Sequence, residues 1–144
     1  MKLIIINGPN LNLLGTREPE QYGEQNFEAF FKLLTKRYST ISCDYFQSNI
    51  EGELISKIQE AQTQYDGIIL NAAAYTHTSV GIGDAVKAIS IPVVEVHISN
   101  IYKREAFRHQ SYVAAHAAGI IVGFGLEGYS LAIAYFIKKN EALI

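Results

Sequence analysis

In the run Val93-Val94-Glu95-Val96-His97-Ile98-Ser99-Asn100, Glu95, His97 and Ser99 fall at every second position. In a strand that period puts all three side chains on one face. A carboxylate two residues from an imidazole can hold its tautomer and raise its basicity, which a general acid or base requires. The same pair also fits a structural histidine beside a sheet-edge glutamate. His77, in Ala74-Tyr75-Thr76-His77-Thr78-Ser79, is a second imidazole expected on the same rim. His109 and His116 have no comparable setting and read as surface or packing residues.

Two histidines and a carboxylate invite a metal, but no H-x-x-x-H, H-x-H or cysteine-pair spacing is present. Arg17, Arg104 and Arg108 fall in the same set of connections and would oppose a divalent cation. No metal and no cofactor are expected. Guanidinium is always charged and pairs well with carboxylate or phosphate, so the arginines suit an anionic substrate or intermediate. Arg17 shares the stretch Gly8 to Gly23 with Tyr22. Tyrosine is a poor base at its reference pKa near 10, yet a phenol beside arginine is stabilised as phenolate. The pair could supply a base, or it could be a packed aromatic on a solvated loop.

These residues need a frame, and the apolar runs supply one. Lys2 to Asn7, Thr40 to Gln47, Gly67 to Ala72, Ile91 to Ser99 and Gly119 to Phe124 read as strands, most of them apolar on successive positions, as for strands covered on both faces. Between them lie helical periods. Phe27, Phe30, Phe31, Leu34 and Tyr38 repeat at three and four behind Asn26, a natural N-cap. Leu54, Ile58 and Ala61 repeat likewise, Ser79 to Ala88 reads as a helix, and Tyr129 to Lys139 is apolar enough to suggest contact all round. Alternating strand and helix predicts a flavodoxin-like α/β fold: a five-stranded parallel sheet with right-handed crossovers and helices on both faces. Such sheets bind ligands beyond the carboxyl ends of their strands, where Asn7, Asn71, His97, Ser99 and the three arginines fall. Gly123-Phe124-Gly125-Leu126-Glu127-Gly128 matches a dinucleotide fingerprint, but the following strand with an acidic residue about 20 positions on, which the fingerprint needs, is not expected here. A tight turn bringing the last helix close to the sheet is the expected role.

With 144 residues, a net charge of −2 and no basic stretch, the chain is expected to be one domain, residues 1–144, with no nucleic-acid partner. The single cysteine, Cys43, lies in an apolar run and reads as a small core hydrophobe. Lys2-Leu3-Ile4-Ile5-Ile6 is broken by Gly8-Pro9 before it reaches signal-peptide length, and no apolar run approaches the roughly 20 residues of a membrane span. No membrane association and a cytoplasmic location are expected.

Several long motifs, in order, resemble one family nearly end to end: Ile6-Asn7-Gly8-Pro9-Asn10-Leu11-Asn12-Leu13-Leu14-Gly15-Thr16-Arg17-Glu18 running to Gly23, Gln47 to Ile55, Tyr65 to Ser79, Ile91 to His109, and Gly123 to Tyr129. The chain is similar to type II 3-dehydroquinate dehydratase. That resemblance implies removal of water from 3-dehydroquinate by anti elimination through an enolate, without metal or covalent intermediate. It implies Tyr22 as the base at C2, Arg17 on the same mobile lid, Arg104 lowering the Tyr22 pKa, and His97 as the acid at the C1 hydroxyl. Glu95 would orient His97, and Asn10 would help hold a water on the enolate. Asn71 and the backbone at Ile98 and Ser99 would hold the substrate carboxylate, with His77 and Arg108 on its hydroxyls. Asp84 would reach a neighbouring subunit's site in a homododecamer, a tetramer of trimers. The length of the stretch from Gly8 to Gly23 then suits a lid, expected to be mobile between Leu13 and Tyr22 without ligand. Two departures stand out: the family commonly has Asn-Pro-Gly-Ala-Tyr where this chain has Asn71-Ala72-Ala73-Ala74-Tyr75, and an arginine where this chain has Gly83.

Overall fold

A computed structural model describes residues 1–16, 20 and 25–142. Its strands are β1 (Lys2–Asn7), β2 (Ser42–Gln47), β3 (Gly67–Asn71), β4 (Val93–His97) and β5 (Gly119–Val122). All strand pairs are parallel and the order is β2-β1-β3-β4-β5, the doubly wound arrangement expected. Packed on this sheet are the α-helices α1 (Phe27–Arg37), α2 (Glu51–Ala61), α3 (Val80–Ala88) and α4 (Glu127–Glu141). No helix among the described residues is long and apolar enough to cross a membrane.

The period of two along the central strands divides the core. Leu3, Ile5, Ile69, Val94 and Val96 face α1 and α4, meeting Phe27, Phe30, Leu34, Tyr129, Ile133 and Phe136. Ile4, Ile6, Ile68, Leu70 and Val93 face α2 and α3, meeting Leu54, Ile58, Ile82 and Val86. Asn26 caps α1 as expected, its side chain accepting the Ala29 N–H at 2.8 Å, and Ser79 caps α3 by accepting the Ile82 N–H at 2.9 Å.

Four expectations need correction. Cover on both faces holds for β1, β3 and β4, but β5 lies at the sheet edge, where Ile120 is 48 % exposed. Several strands are shorter than the apolar runs that announced them, because a run continues past the last ladder bond; Ile98 and Ser99, for example, lie beyond β4. The crossover from β4 to β5 carries no α-helix, only three short 3₁₀ turns at Ile101–Lys103, Ala106–His109 and Ala114–His116. Finally, α4 buries one face only, with Leu131 and Tyr135 on the outer side at 43 % and 38 % exposure. Cys43 is half-buried against the α1–α4 side, and burial, with Asp44 beside it, pushes its thiol up to about 12, as for an inert packing residue.

Candidate active site

The carboxyl ends of β1, β3 and β4 meet in one cavity. β1 and β3 run in register so that Asn7 stands beside Asn71, and the chain leaving β1 hugs the chain leaving β3. The Gly8 N–H donates to the Asn71 carbonyl at 2.8 Å, and a Cβ at Gly8 would lie 2.5 Å from the Ala72 carbonyl oxygen. Only glycine allows that approach. Asn10 then takes a left-handed conformation, φ 68°, which asparagine tolerates better than most residues. Its N–H donates to Asn49 Oδ1 at 2.9 Å, and Gln47 Nε2 donates to the same oxygen at 3.1 Å. Buried Leu11 and Leu14 fasten the connection as far as Gly15, whose φ of 92° also needs glycine.

Asn71 ends β3 almost fully buried. Its Oδ1 accepts the Ala73 N–H at 3.1 Å, and its Nδ2 donates to the Tyr129 hydroxyl at 2.9 Å. Tyr129 in turn donates to Asn7 Oδ1 at 2.8 Å. Burial pushes the Tyr129 phenol well above its ordinary range, so it stays a donor. The turn at residues 72–75 bears on the first sequence departure. Ala72 has φ −73°, a value proline also takes, while Ala73 sits at φ 51°, where glycine is the unstrained choice. Alanine therefore keeps the turn at a cost in backbone strain.

At the end of β4, His97 Nε2 lies 2.7 Å from Glu95 Oε1, both side chains almost fully buried. The pair spaced by two in sequence is a real contact. With Nε2–H given to the carboxylate, Nδ1 is the ring nitrogen left for chemistry. His77 stacks on His97, ring centres 6.0 Å apart and 22° between planes. The His77 Nδ1–H donates to the Gln110 carbonyl at 2.7 Å. Burial, foremost among several influences, lowers the His77 pKa below its usual 6.5, which keeps the ring neutral with a lone pair on Nε2.

Positive charge rims the cavity. Arg104 Nη1 donates to Ser99 Oγ at 3.3 Å, and Arg108 Nε is bonded to Glu105 Oε2 at 2.8 Å. Glu105 also lies 3.9 Å from Arg104 Nε. Its own backbone N–H, then Arg108, holds the Glu105 carboxyl below the usual range. One solvated carboxylate is thus shared between two guanidinium groups.

Of the residues singled out in the sequence, Asn10, Asn71, His77, His97, Ile98, Ser99, Arg104 and Arg108 all line this cavity. Glu95 stands behind His97 rather than in the lining. Asp84 does not line it; it lies on the exposed side of α3. Beside it, Gly83 is buried, and a Cβ there would lie 2.5 Å from the Tyr112 carbonyl oxygen. Arg17 and Tyr22 lie outside the described residues, as do residues 18, 19, 21 and 23 of the stretch expected to form a lid. His109 and His116 are exposed, as expected. The glycine-rich stretch is a turn, Gly123 at φ 89° and Gly125 at φ 60°, and a Cβ on Gly128 would come within 3.2 Å of Val96, the close helix-to-sheet approach foreseen.

Two contributors, Tyr129 and Ser111, leave no periodic signal in the sequence, and Asn7, placed there only as a strand end, takes a structural part. Asn7 and Tyr129 form the buried bridge to Asn71, and Ser111 donates to Glu95 Oε1 at 2.8 Å. The signal for Ser111 is local: a serine opening a turn, its Oγ accepting the N–H groups of Val113 and Ala114. Nothing periodic marks Tyr129 apart from its neighbours on α4.

Comparison with known proteins agrees with this fold. The family described as Dehydroquinase class II matches residues 1–137. The 3-dehydroquinate dehydratase of Campylobacter jejuni subsp. jejuni is 50 % identical over 145 residues, covering 99 % of this chain and 91 % of its own. That of Bacillus licheniformis is 51 % identical over 141 residues, 96 % of this chain and 97 % of its own. The crystal structure of type II dehydroquinase from Butyrivibrio crossotus superposes with a TM-score of 0.90 at 47 % identity, over 94 % of this chain and 96 % of that one. With the family model spanning residues 1–137 and the fold shared with a solved member, the chain belongs to the class II dehydroquinase family.

Proposed function

We propose that this hydro-lyase removes water from 3-dehydroquinate to give 3-dehydroshikimate by general acid-base catalysis. The observation that carries the reading is the His97–Glu95 contact, which commits Nε2–H to the carboxylate and leaves Nδ1 on a cavity rimmed by Arg104 and Arg108. In the proposed sequence the Tyr22 phenolate takes the C2 proton and becomes phenol, and the electron pair spreads onto the ketone oxygen as an enolate. His97, protonated on both nitrogens, then gives its Nδ1 proton to the C1 hydroxyl, which leaves as water as the enolate collapses to the conjugated enone. Charge develops on the enolate oxygen, where Asn10 would hold a water. Arg104 would favour the Tyr22 phenolate, and Arg17 would close over the site with Tyr22.

Asn71 and the backbone N–H groups at Ile98 and Ser99 suit the substrate carboxylate, while His77 and Arg108 suit its hydroxyls. A neutral His77 presenting a lone pair on Nε2 can accept a hydroxyl proton, which supports that assignment. We further propose a cytoplasmic homododecamer, a tetramer of trimers, in which Asp84 serves a neighbouring site. The outward position of Asp84 fits a residue that acts across an interface.

Ultraviolet absorbance after adding 3-dehydroquinate tests the activity, because the enone product absorbs and the substrate does not. Tyr22→Phe and His97→Ala should each slow turnover by about 10²-fold or more, the usual scale for a positioned acid or base. Near-native turnover in Tyr22→Phe would remove the tyrosine from the role of base. Sedimentation showing only monomer in active enzyme would rule out the shared site at Asp84.

A further inference from the structure

Among the described residues, all hydrogen bonds to the Glu95 carboxylate fall on one oxygen. Oε1 accepts from His97 Nε2 at 2.7 Å and from Ser111 Oγ at 2.8 Å, whereas Oε2 is buried without a partner among the described residues. A serine hydroxyl has one proton and two lone pairs. Both acceptor positions of Ser111 Oγ are filled by backbone, from the Val113 N–H at 3.1 Å and the Ala114 N–H at 3.0 Å. Its single proton therefore goes to Glu95. Those two backbone groups belong to the turn that opens Ala114–His116, and Val113 beneath it is fully buried in the core under α3. The hydroxyl thus ties the carboxylate to a rigid part of the molecule, 16 residues along the chain from Glu95.

Without that tether, Glu95 Oε1 would be held by His97 alone, and the carboxylate could turn about its last torsion, which is soft. The imidazole would follow, because its plane is set by the same bond. We propose that Ser111 is a positioning residue for the acid: it pins Glu95 by Oε1, so that His97 keeps its proton on Nε2 and presents Nδ1 to the cavity. The proposal rests on the reading of His97 as the acid.

The test combines kinetics with ¹⁵N spectra of the His97 ring in the intact protein. The wild type should show His97, when neutral, as the single Nε2–H tautomer; a neutral Nδ1–H form in the wild type would overturn the proposal without any variant. Ser111→Ala should lower kcat by about tenfold, the scale found when a group orienting an imidazole is lost, with KM changed by less than about twofold. Its His97 nitrogens should report exchange between tautomers. Ser111→Thr, which keeps the hydroxyl, should restore both kcat and the single tautomer. A merely structural serine would change the melting temperature while leaving kcat per folded molecule and the His97 nitrogens as they were, and that result would also overturn it. A fall in kcat with unchanged His97 nitrogens would do the same. If instead His97→Ala retained near-native turnover while Ser111→Ala still mixed the tautomers, the acid assignment would fail and the tether would stand.

Discussion

The Tyr129 hydroxyl, carried on α4, accepts from Asn71 Nδ2 at 2.9 Å and donates to Asn7 Oδ1 at 2.8 Å, joining the ends of β3 and β1 beneath the cavity. Tyr129 and Asn7 are fully buried and Asn71 nearly so. Tyr129→Phe would keep the ring packing against Phe27 and Phe30 and remove only the bridge. An orphaned buried polar group costs about 1–3 kcal/mol, and here an acceptor and a donor are orphaned together. Urea titration should therefore show a loss of at least about 1 kcal/mol with an unchanged m-value. A loss under about 0.3 kcal/mol would mean that both amides find other partners.

Ala73 holds φ 51° with its N–H tied to Asn71 Oδ1. A left-handed conformation costs an L-residue roughly 1–2 kcal/mol, and the flexibility glycine adds to the unfolded chain offsets part of that. Ala73→Gly should leave the protein as stable or up to about 1 kcal/mol more stable, seen as an unchanged or higher urea midpoint. A lower midpoint would show that the alanine methyl contributes packing worth more than the strain.

Gly83 lies within α3, where helix propensity alone favours alanine by about 1 kcal/mol. The Tyr112 carbonyl oxygen, 2.5 Å from where a Cβ would sit, opposes this. Because that contact is backbone, it cannot be relieved by a side-chain turn. Gly83→Ala should lower the melting temperature, and Gly83→Arg, with a far larger side chain on the same Cβ, should lower it further. A higher melting temperature for Gly83→Ala would show that the 112 segment yields easily.

His77 has a folded pKa below its unfolded value near 6.5, chiefly from burial. The unfolded chain therefore binds more protons in this range, so stability rises with pH. The contribution is complete above about pH 6.5 and is lost as the pH falls through the lower, folded value. Against His77→Gln, which does not titrate, the wild type should lose relative stability steadily from pH 7 downward. Parallel pH curves for the two proteins would exclude the shift.

The sequence by itself determined the sheet, because apolar runs and helical periods are local and each carries its own signature. It also determined Glu95 and His97 as partners, since a period of two is enough to put them on one face of β4. Long motifs then pointed to the family and to most of the cavity lining. Tertiary structure alone decided what stands behind those residues. Ser111 meets Glu95 across 16 residues, and Tyr129 meets Asn7 across 122, so neither contact leaves a periodic trace. The strain at Ala73 and the crowding at Gly83 were equally hidden, because a backbone torsion and a neighbouring carbonyl are consequences of packing rather than of residue type. Hydrogen bonds between distant elements depend on register and on how closely helix and sheet approach, and those are settled only when the two cores close around the strands.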